Sequence, residues 1–318
     1  MKILFLTDSH IKGINPIYRK GSFLGDMTTK ISEVIKLSKE LGCEKVLHGG
    51  DLFDSPLVSL KLCDTFVDMI EHAGIPWGIV RGNHDEIGHN PNLSGESILD
   101  HIFRRSKLIY NLGGRSNGKI YIEGFDYYHG IEKDLKEKGL ISSIPYVGDK
   151  QIAVVHAFIT SKPFNPKVMH VVANEIQTDF QLVLVSHYHA EFGILKVNNP
   201  VTGMKTTFVS IGSLARLTVA DSDISRMPNV LFIDTDISLI KVIPLQSAKP
   251  ASEVFDLTNL EKKQQFETRI DNFVNSLESV KVQGLNLRSV IEEIGIRLME
   301  DREVIDEVIK RIGEQESR

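Results

Sequence analysis

Apolar runs closed by short polar clusters recur along the first 250 residues of the chain. Lys2 to Thr7 is a β-branched and aromatic run that ends in Asp8-Ser9-His10, the pattern of a strand with polar residues at its C-terminal end. A loop rich in Gly, Asn and Pro runs from Gly13 to Gly25. From Met27 to Leu41 the apolar positions change to helical spacing (Ile31, Val34, Ile35, Leu37, Leu41), and Gly42 stands where a helix C-cap belongs. Lys45 to His48 is the next predicted strand and runs into Gly49-Gly50-Asp51-Leu52-Phe53-Asp54. A second amphipathic helix is predicted from about Leu57 to Ala73, capped by Gly74. Ile75 to Val80 then leads into Gly82-Asn83-His84-Asp85. This β-α-β-α-β order, with polar clusters at successive strand ends, predicts an open α/β sheet whose site lies outside the carboxyl ends of its strands.

Beyond residue 105 the pattern becomes strand-rich. Lys107–Asn111, Lys119–Tyr127, Gln151–Val155, Leu182–Val185, Gly193–Val197, Thr206–Ile211 and Asn229–Ile233 read as strands on short connections. The expectation is a mixed, two-sheet α/β core with an antiparallel-leaning second half, covering residues 1–245. Residues 246–318 are expected to form a helical appendage that caps the core or binds a partner. Phe266, Ile270, Phe273 and Leu277 share one helical spacing there, and Val290, Ile291, Ile294, Leu298, Val304, Ile305, Val308 and Ile312 form a second set.

Charge changes the picture only at that C-terminal end. The formal net charge of the 318-residue chain is −5, and residues 251–318, with ten Lys/Arg and fifteen Asp/Glu, account for all of it. The first 250 residues are neutral overall, so no strongly basic nucleic-acid binder is announced. No run approaches the roughly 20 apolar residues needed to span a bilayer. The first apolar run is too short for a secretory signal, and the two cysteines, Cys43 and Cys63, fit core positions in a reducing, cytoplasmic setting.

The chemistry sits in five clusters. Asp8-x-His10, Gly50-Asp51-x-x-Asp54, Gly82-Asn83-His84-Asp85, His156 and His187-x-His189 each close an apolar run. Together they offer carboxylate, imidazole and amide-oxygen ligands, too many for one tetrahedral zinc site. The set divides naturally between two ions sharing one carboxylate.

The order and spacing of these clusters resemble the calcineurin-like metallophosphoesterase superfamily over residues 1–245. The resemblance implies the two-sheet α/β metallophosphoesterase sandwich, mixed sheets flanked by helices. It implies that Asp8, His10 and His189 hold one divalent metal, that Asn83, His156 and His187 hold the second, and that Asp51 bridges them. His84 is then the general acid or charge stabiliser toward the leaving oxygen, with Asp85 orienting it or bracing the site. Mn2+ is the implied ion, and iron, zinc or magnesium would suit the same ligand set.

Gly50-Asp51-Leu52-Phe53-Asp54-Ser55-Pro56 and Ile211-Gly212-Ser213-Leu214-Ala215-Arg216-Leu217-Thr218 resemble segments of SbcD-type DNA repair nucleases. That narrower likeness implies a DNA exo- or endonuclease subunit working in repair or recombination with an SbcC-type ATPase, and it is compatible with a homodimer. Arg216 is the residue it favours for a substrate-phosphate contact. Arg81, Lys12, Arg19, Lys20, Arg104, Arg105, Lys162, Lys167 and Arg226 are the further basic candidates. Ser186 departs from the pattern, which mostly has Gly before His-x-His. The alternatives are a stand-alone phosphoesterase on nucleotides or small phosphoesters, and a scaffold subunit whose main role is to bind a partner ATPase. His48 and His129 are the other histidines placed to reach a substrate; His72, His89, His101 and His170 read as surface or core residues.

Overall fold

In the computed structural model, residues 1–87, 95–144, 150–198, 203, 205–256 and 258 are described. The expected helices beyond Leu260, and His89, lie outside them. The chain divides into one unit from Met1 to Phe255 and a second from Asp256 to Arg318. Residues 246–255, assigned to the appendage on sequence, thus group with the core. The physical reason is local: the amides of Gln246 and Ser247 both donate to the Glu33 carboxylate, and the Lys20 amide donates to the Val254 carbonyl.

The first sheet holds β1 (Lys2–Leu6), β2 (Lys45–His48), β3 (Trp77–Ile79), β4 (Ile109–Asn111), β13 (Asn229–Asp234) and β14 (Leu239–Pro244), in the order β14-β13-β1-β2-β3-β4. β1 through β4 pair in parallel, and β13 and β14 extend the edge antiparallel. The second sheet holds β5 (Gly114–Ser116), β6 (Ile120–Phe125), β7 (Lys150–Ala157), β10 (Leu182–His187), β11 (Gly193–Asn198) and β12 (Lys205–Ser210), in the order β11-β12-β10-β7-β6-β5. A small parallel pair, β8 (Ile159–Thr160) and β9 (Val171–Val172), stands beside it.

Side-chain alternation along each strand divides the core into layers. In β1, Leu4 and Leu6 pack toward α1 (Phe23–Glu40), α2 (Leu60–Ala73) and α3 (Ile98–Arg105), while Ile3 and Phe5 enter the core between the sheets. In β7, Ile152 and Val154 meet them there, and Ala153 and Val155 face α4 (Ile131–Lys138) on the far side. α1 begins earlier than the aliphatic spacing suggests. Ser22 accepts the Gly25 amide at 3.0 Å as its N-cap, so Phe23 and Met27 join the buried stripe.

The second sheet corrects one expectation. Its central pairs, β6 with β7, β7 with β10 and β10 with β12, are all parallel, and only its outer pairs are antiparallel. Parallel pairing requires a crossover. α4 lies in the connection from β6 to β7, and β8 and β9 lie in residues 158–181, the connection from β7 to β10. The parallel arrangement brings the C-terminal ends of β7 and β10 side by side, with Ser186 in register with His156.

Candidate metal centre

Every expected ligand lies at the C-terminal end of a strand. Asp8 and His10 follow β1, Asp51 follows β2, the Asn83–Asp85 turn follows β3, His156 is the penultimate residue of β7, and His187 and His189 end and follow β10. Two glycines make the approach possible. A Cβ on Gly82 would lie 2.0 Å from Asp51 Oδ1, and one on Gly50 would lie 2.4 Å from His156 Nδ1. Asp8, His10, Asp51 and His187 themselves have positive φ, between 43° and 82°, a region that non-glycine residues rarely occupy and that clusters at functional sites.

Asp8, His10 and His189 form one group of converging ligand atoms, and Asp51, His156 and His187 form another. His10 Nε2 lies 3.0 Å from His189 Nε2; His156 Nε2 lies 3.1 Å from Asn83 Oδ1 and 3.2 Å from His187 Nδ1. Asp51 stands between the groups, its Oδ2 3.6 Å from His10 Nε2 and 3.5 Å from His156 Nε2. Asp51 Oδ1 meanwhile accepts the His84 amide at 2.9 Å.

The surrounding hydrogen bonds fix which atoms face inward. His156 Nδ1 donates to the Gly49 carbonyl at 2.8 Å, since a carbonyl can only accept, and this leaves the Nε2 lone pair toward Asn83 Oδ1. His10 Nδ1 is held by Asp54 Oδ1 at 3.1 Å, and that carboxylate is held in turn by Lys12. Asp8 Oδ1 is buried with no hydrogen-bond partner. An orphaned carboxylate oxygen beside inward-facing acceptors is what a divalent cation satisfies and what water-excluded protein cannot. The residues therefore fit two ions sharing Asp51.

The electrostatics differ among the expected ligands. Burial and the neighbouring His156 charge push His187 down to about 4, so it is a neutral ligand near pH 7. Burial likewise lowers His189. Burial would raise Asp8, but the imidazoles of His156, His189 and His10 hold it below the usual carboxylate range. For His10, burial is outweighed by the Asp54 hydrogen bond and the nearby Asp51 and Asp8 charges, which raise it.

His84 brings a ring nitrogen to within 4.8 Å of the Asp51 and His10 ligand atoms. Its Nδ1 lies 2.9 Å from the Asp54 carbonyl oxygen, so Nε2 is the nitrogen left to exchange a proton. Asp85 braces: its Oδ2 accepts the Gly82 amide at 2.8 Å and the Asp51 amide at 2.9 Å, tying the two ligand turns together. Burial, then the Asp51 charge, raise its carboxyl well above the usual range. Asp54 was visible in the Gly-Asp-x-x-Asp spacing but its double service was not: its side chain orients His10 and its carbonyl orients His84. Ser186 fits because Gly49 has no side chain; its hydroxyl lies 2.5 Å from the Gly49 carbonyl oxygen and 2.8 Å from that of Val155.

The structure places Arg216 beneath the site rather than on its surface. It is only 1% exposed, and its guanidinium donates to the Lys249 and Arg226 carbonyls. Arg19 and Arg226 are also engaged internally, by Asp26 and Asp223. Arg81 is clamped by Asp100 and Asp126, Arg105 pairs with Asp64, Arg104 donates to the Gly95 carbonyl, and Lys20 donates to that of Ser252. Lys162 and Lys167 are exposed. His48 is buried and structural: Nδ1 accepts the Gly50 amide at 3.2 Å, leaving Nε2 to donate to Ser9 Oγ at 2.7 Å. His129 is exposed. A cavity of about 580 Å³ opens at the opposite end of the sandwich, by Lys150–Ile152 and Ile233–Thr235, where no ligand cluster lies among the described residues.

No curated protein matches the sequence. Among solved structures, the protein TT1561 of Thermus thermophilus is similar at 12% identity and TM-score 0.44, over 76% of this chain and 98% of that one. A novel archaeal phosphodiesterase is similar at 15% identity and TM-score 0.39, over 77% and 100%. A dimetal phosphatase from Danio rerio is similar at 11% identity and TM-score 0.45, over 74% and 93%. The family model for calcineurin-like phosphoesterases matches residues 1–191, a span that contains both ligand groups and Asp51. The chain belongs to the calcineurin-like phosphoesterase family.

Proposed function

We propose that this chain is a metal-dependent phosphodiesterase that hydrolyses DNA, with Mn2+ as its working ion. The observation that carries the hydrolytic reading is the placement of Asp51 Oδ2, 3.6 and 3.5 Å from one histidine of each ligand group. Asp8, His10 and His189 would hold one ion, Asn83, His156 and His187 the other, and Asp51 both. When bound, such a pair supplies Lewis acidity toward a phosphoryl oxygen and a hydroxide nucleophile at neutral pH.

The chain's own residues do the rest. Asp54 and Asp85 hold the ligand turns, and His84, its Nδ1 engaged by the Asp54 carbonyl, has Nε2 free to protonate a leaving oxygen. No side-chain nucleophile is needed. The choice of DNA rests on the Gly50–Pro56 and Ile211–Thr218 segments, which resemble those of SbcD-type nucleases. The same resemblance proposes an SbcC-type ATPase as partner, engaged through the C-terminal residues, and a cytoplasmic location. Among the described residues no helix is long and apolar enough to cross a membrane.

The test is Mn2+-dependent degradation of end-labelled single- and double-stranded DNA, beside bis-p-nitrophenyl phosphate and mononucleotides. DNA degradation abolished by chelator and by Asp51→Asn supports the proposal. Turnover of the small esters alone would replace it with a stand-alone phosphoesterase.

A further inference from the structure

Beside the second ligand group a set of aromatic rings leads outward from the centre. Phe158 lies 5.9 Å, ring to ring, from the ligand His187, and 4.7 Å from Tyr188, the residue between the two ligand histidines. Phe164 continues the series, 5.4 Å from Phe158 and 5.7 Å from Tyr188. These contacts are edge-to-face, at interplanar angles of 64° to 83°. Phe164 is left 42% exposed at the outer end.

Phe164 belongs to the connection from β8 to β9, in which residues 161–169 are all exposed. The connection is held in shape from within. The Phe164 amide donates to His170 Nε2 at 3.0 Å, which assigns the ring proton to Nδ1, and Nδ1 donates to the Val168 carbonyl at 2.7 Å. Two lysines of the same connection, Lys162 and Lys167, are exposed, whereas Arg19, Arg81, Arg216 and Arg226 are engaged by carboxylates or carbonyls.

We propose that Phe164, supported by Phe158 and Tyr188, is a stacking platform for an unpaired nucleobase next to the scissile phosphate, with Lys162 and Lys167 contacting the flanking phosphates. The proposal rests on the reading of the chain as a nucleic-acid phosphodiesterase. An exposed ring on a connection that also carries two exposed lysines suits the alternation of base and phosphate along a single strand, and any base can stack because each has a π-face. A paired, stacked base offers no free face. The site therefore selects single-stranded or frayed ends over intact duplex.

The test compares wild type, Phe164→Ala, Phe164→Leu and Phe164→Trp on a single-stranded oligonucleotide and on the same oligonucleotide made abasic beside the cleavage site. Binding of a 2-aminopurine oligonucleotide in Ca2+ gives a readout independent of turnover. The expected result is a loss of kcat/KM of about 5- to 150-fold for both Ala and Leu on the base-bearing strand, restored by Trp. The loss shrinks to less than about twofold on the abasic strand, and 2-aminopurine quenching disappears with it. Equal losses on both strands, or a Leu variant as good as Trp, would mean that Phe164 only packs the connection and would overturn the platform. A wild-type protein that cleaves bis-p-nitrophenyl phosphate but neither strand, and binds neither, would overturn the nucleic-acid reading itself. Strand cleavage with no Phe164 effect would overturn the platform alone.

Discussion

Asp54 shows how much one residue outside the ligand set can control. Its carboxylate holds His10 Nδ1 and its carbonyl holds His84 Nδ1, so two histidines take their orientation from one turn. Replacing a carboxylate that orients a metal-bound histidine typically lowers affinity 10- to 100-fold. Asp54→Ala is expected to weaken Mn2+ binding by about that factor, as measured by calorimetric titration; unchanged affinity would contradict the role. His84→Ala should behave differently. Metal affinity should hold while kcat falls by about 10²–10⁴, measured on DNA and on bis-p-nitrophenyl phosphate. The ligands themselves were legible in the sequence because Asp, His and Asn closed predicted strands. Two features at this scale were not. The left-handed backbone of Asp8, His10, Asp51 and His187 leaves no compositional sign, since glycine would be the residue expected there. Nor does a sequence reveal that the Arg216 guanidinium turns inward to carbonyls.

At the scale of elements, the segment after β12 ties the site to the core. The amides of Ser213, Leu214 and Ala215 donate to the carbonyls of His189, Thr7 and Asp8. Its own carbonyls are held by buried basic side chains: Ser213 and Ala215 by Arg226, Leu214 by Lys30 and Arg216 by Arg19. The resemblance in Ile211–Thr218 thus marks a clamp behind the ligands, and Arg216 belongs to its support. Lys30 bears the cost of this arrangement. Burial, then the charges of Arg216, Arg19 and Arg226, push its pKa down from 10.5 to about 7.

The sign of the pH dependence follows from that shift. Between about pH 7 and 10.5 the unfolded chain keeps the Lys30 proton and the folded chain does not, so this group makes stability rise with pH in that window. The penalty is fully present below pH 7. Urea unfolding of wild type and Lys30→Met should therefore diverge, with wild type gaining on the variant by up to about 1.4 kcal/mol per pH unit from pH 7 to 10. A difference independent of pH would contradict a depressed Lys30. The element pattern itself was legible where alternating strand and helix periods left one topology, β1 to β3. It was less so in the second sheet, because the parallel pairing of β6, β7, β10 and β12 depends on connections whose short elements, α4, β8 and β9, carry little periodicity.

For the whole molecule, the division after Phe255 separates the centre from the acidic C-terminal residues. All ligand groups lie in the first unit. A chain ending at Thr258 is expected to keep metal-dependent hydrolysis of bis-p-nitrophenyl phosphate, measured beside the full chain, since every expected ligand precedes that residue in the sequence. A loss of all activity in a folded truncated chain would mean that the C-terminal residues complete the site. Family and architecture could be read from the sequence because the ligand clusters and strand ends coincide, which only a site at the sheet edge explains. Substrate choice could not, because it depends on which surface rings and cations remain exposed, as at Phe164, Lys162 and Lys167.

The sharing of Asp51 between two ions is tested most directly by Mn2+ titration followed by electron paramagnetic resonance. Two Mn2+ per chain with an exchange-coupled spectrum, reduced to uncoupled or absent signal in Asp51→Asn, is the predicted result. One ion per chain, or two that remain magnetically independent in the wild type, would contradict it.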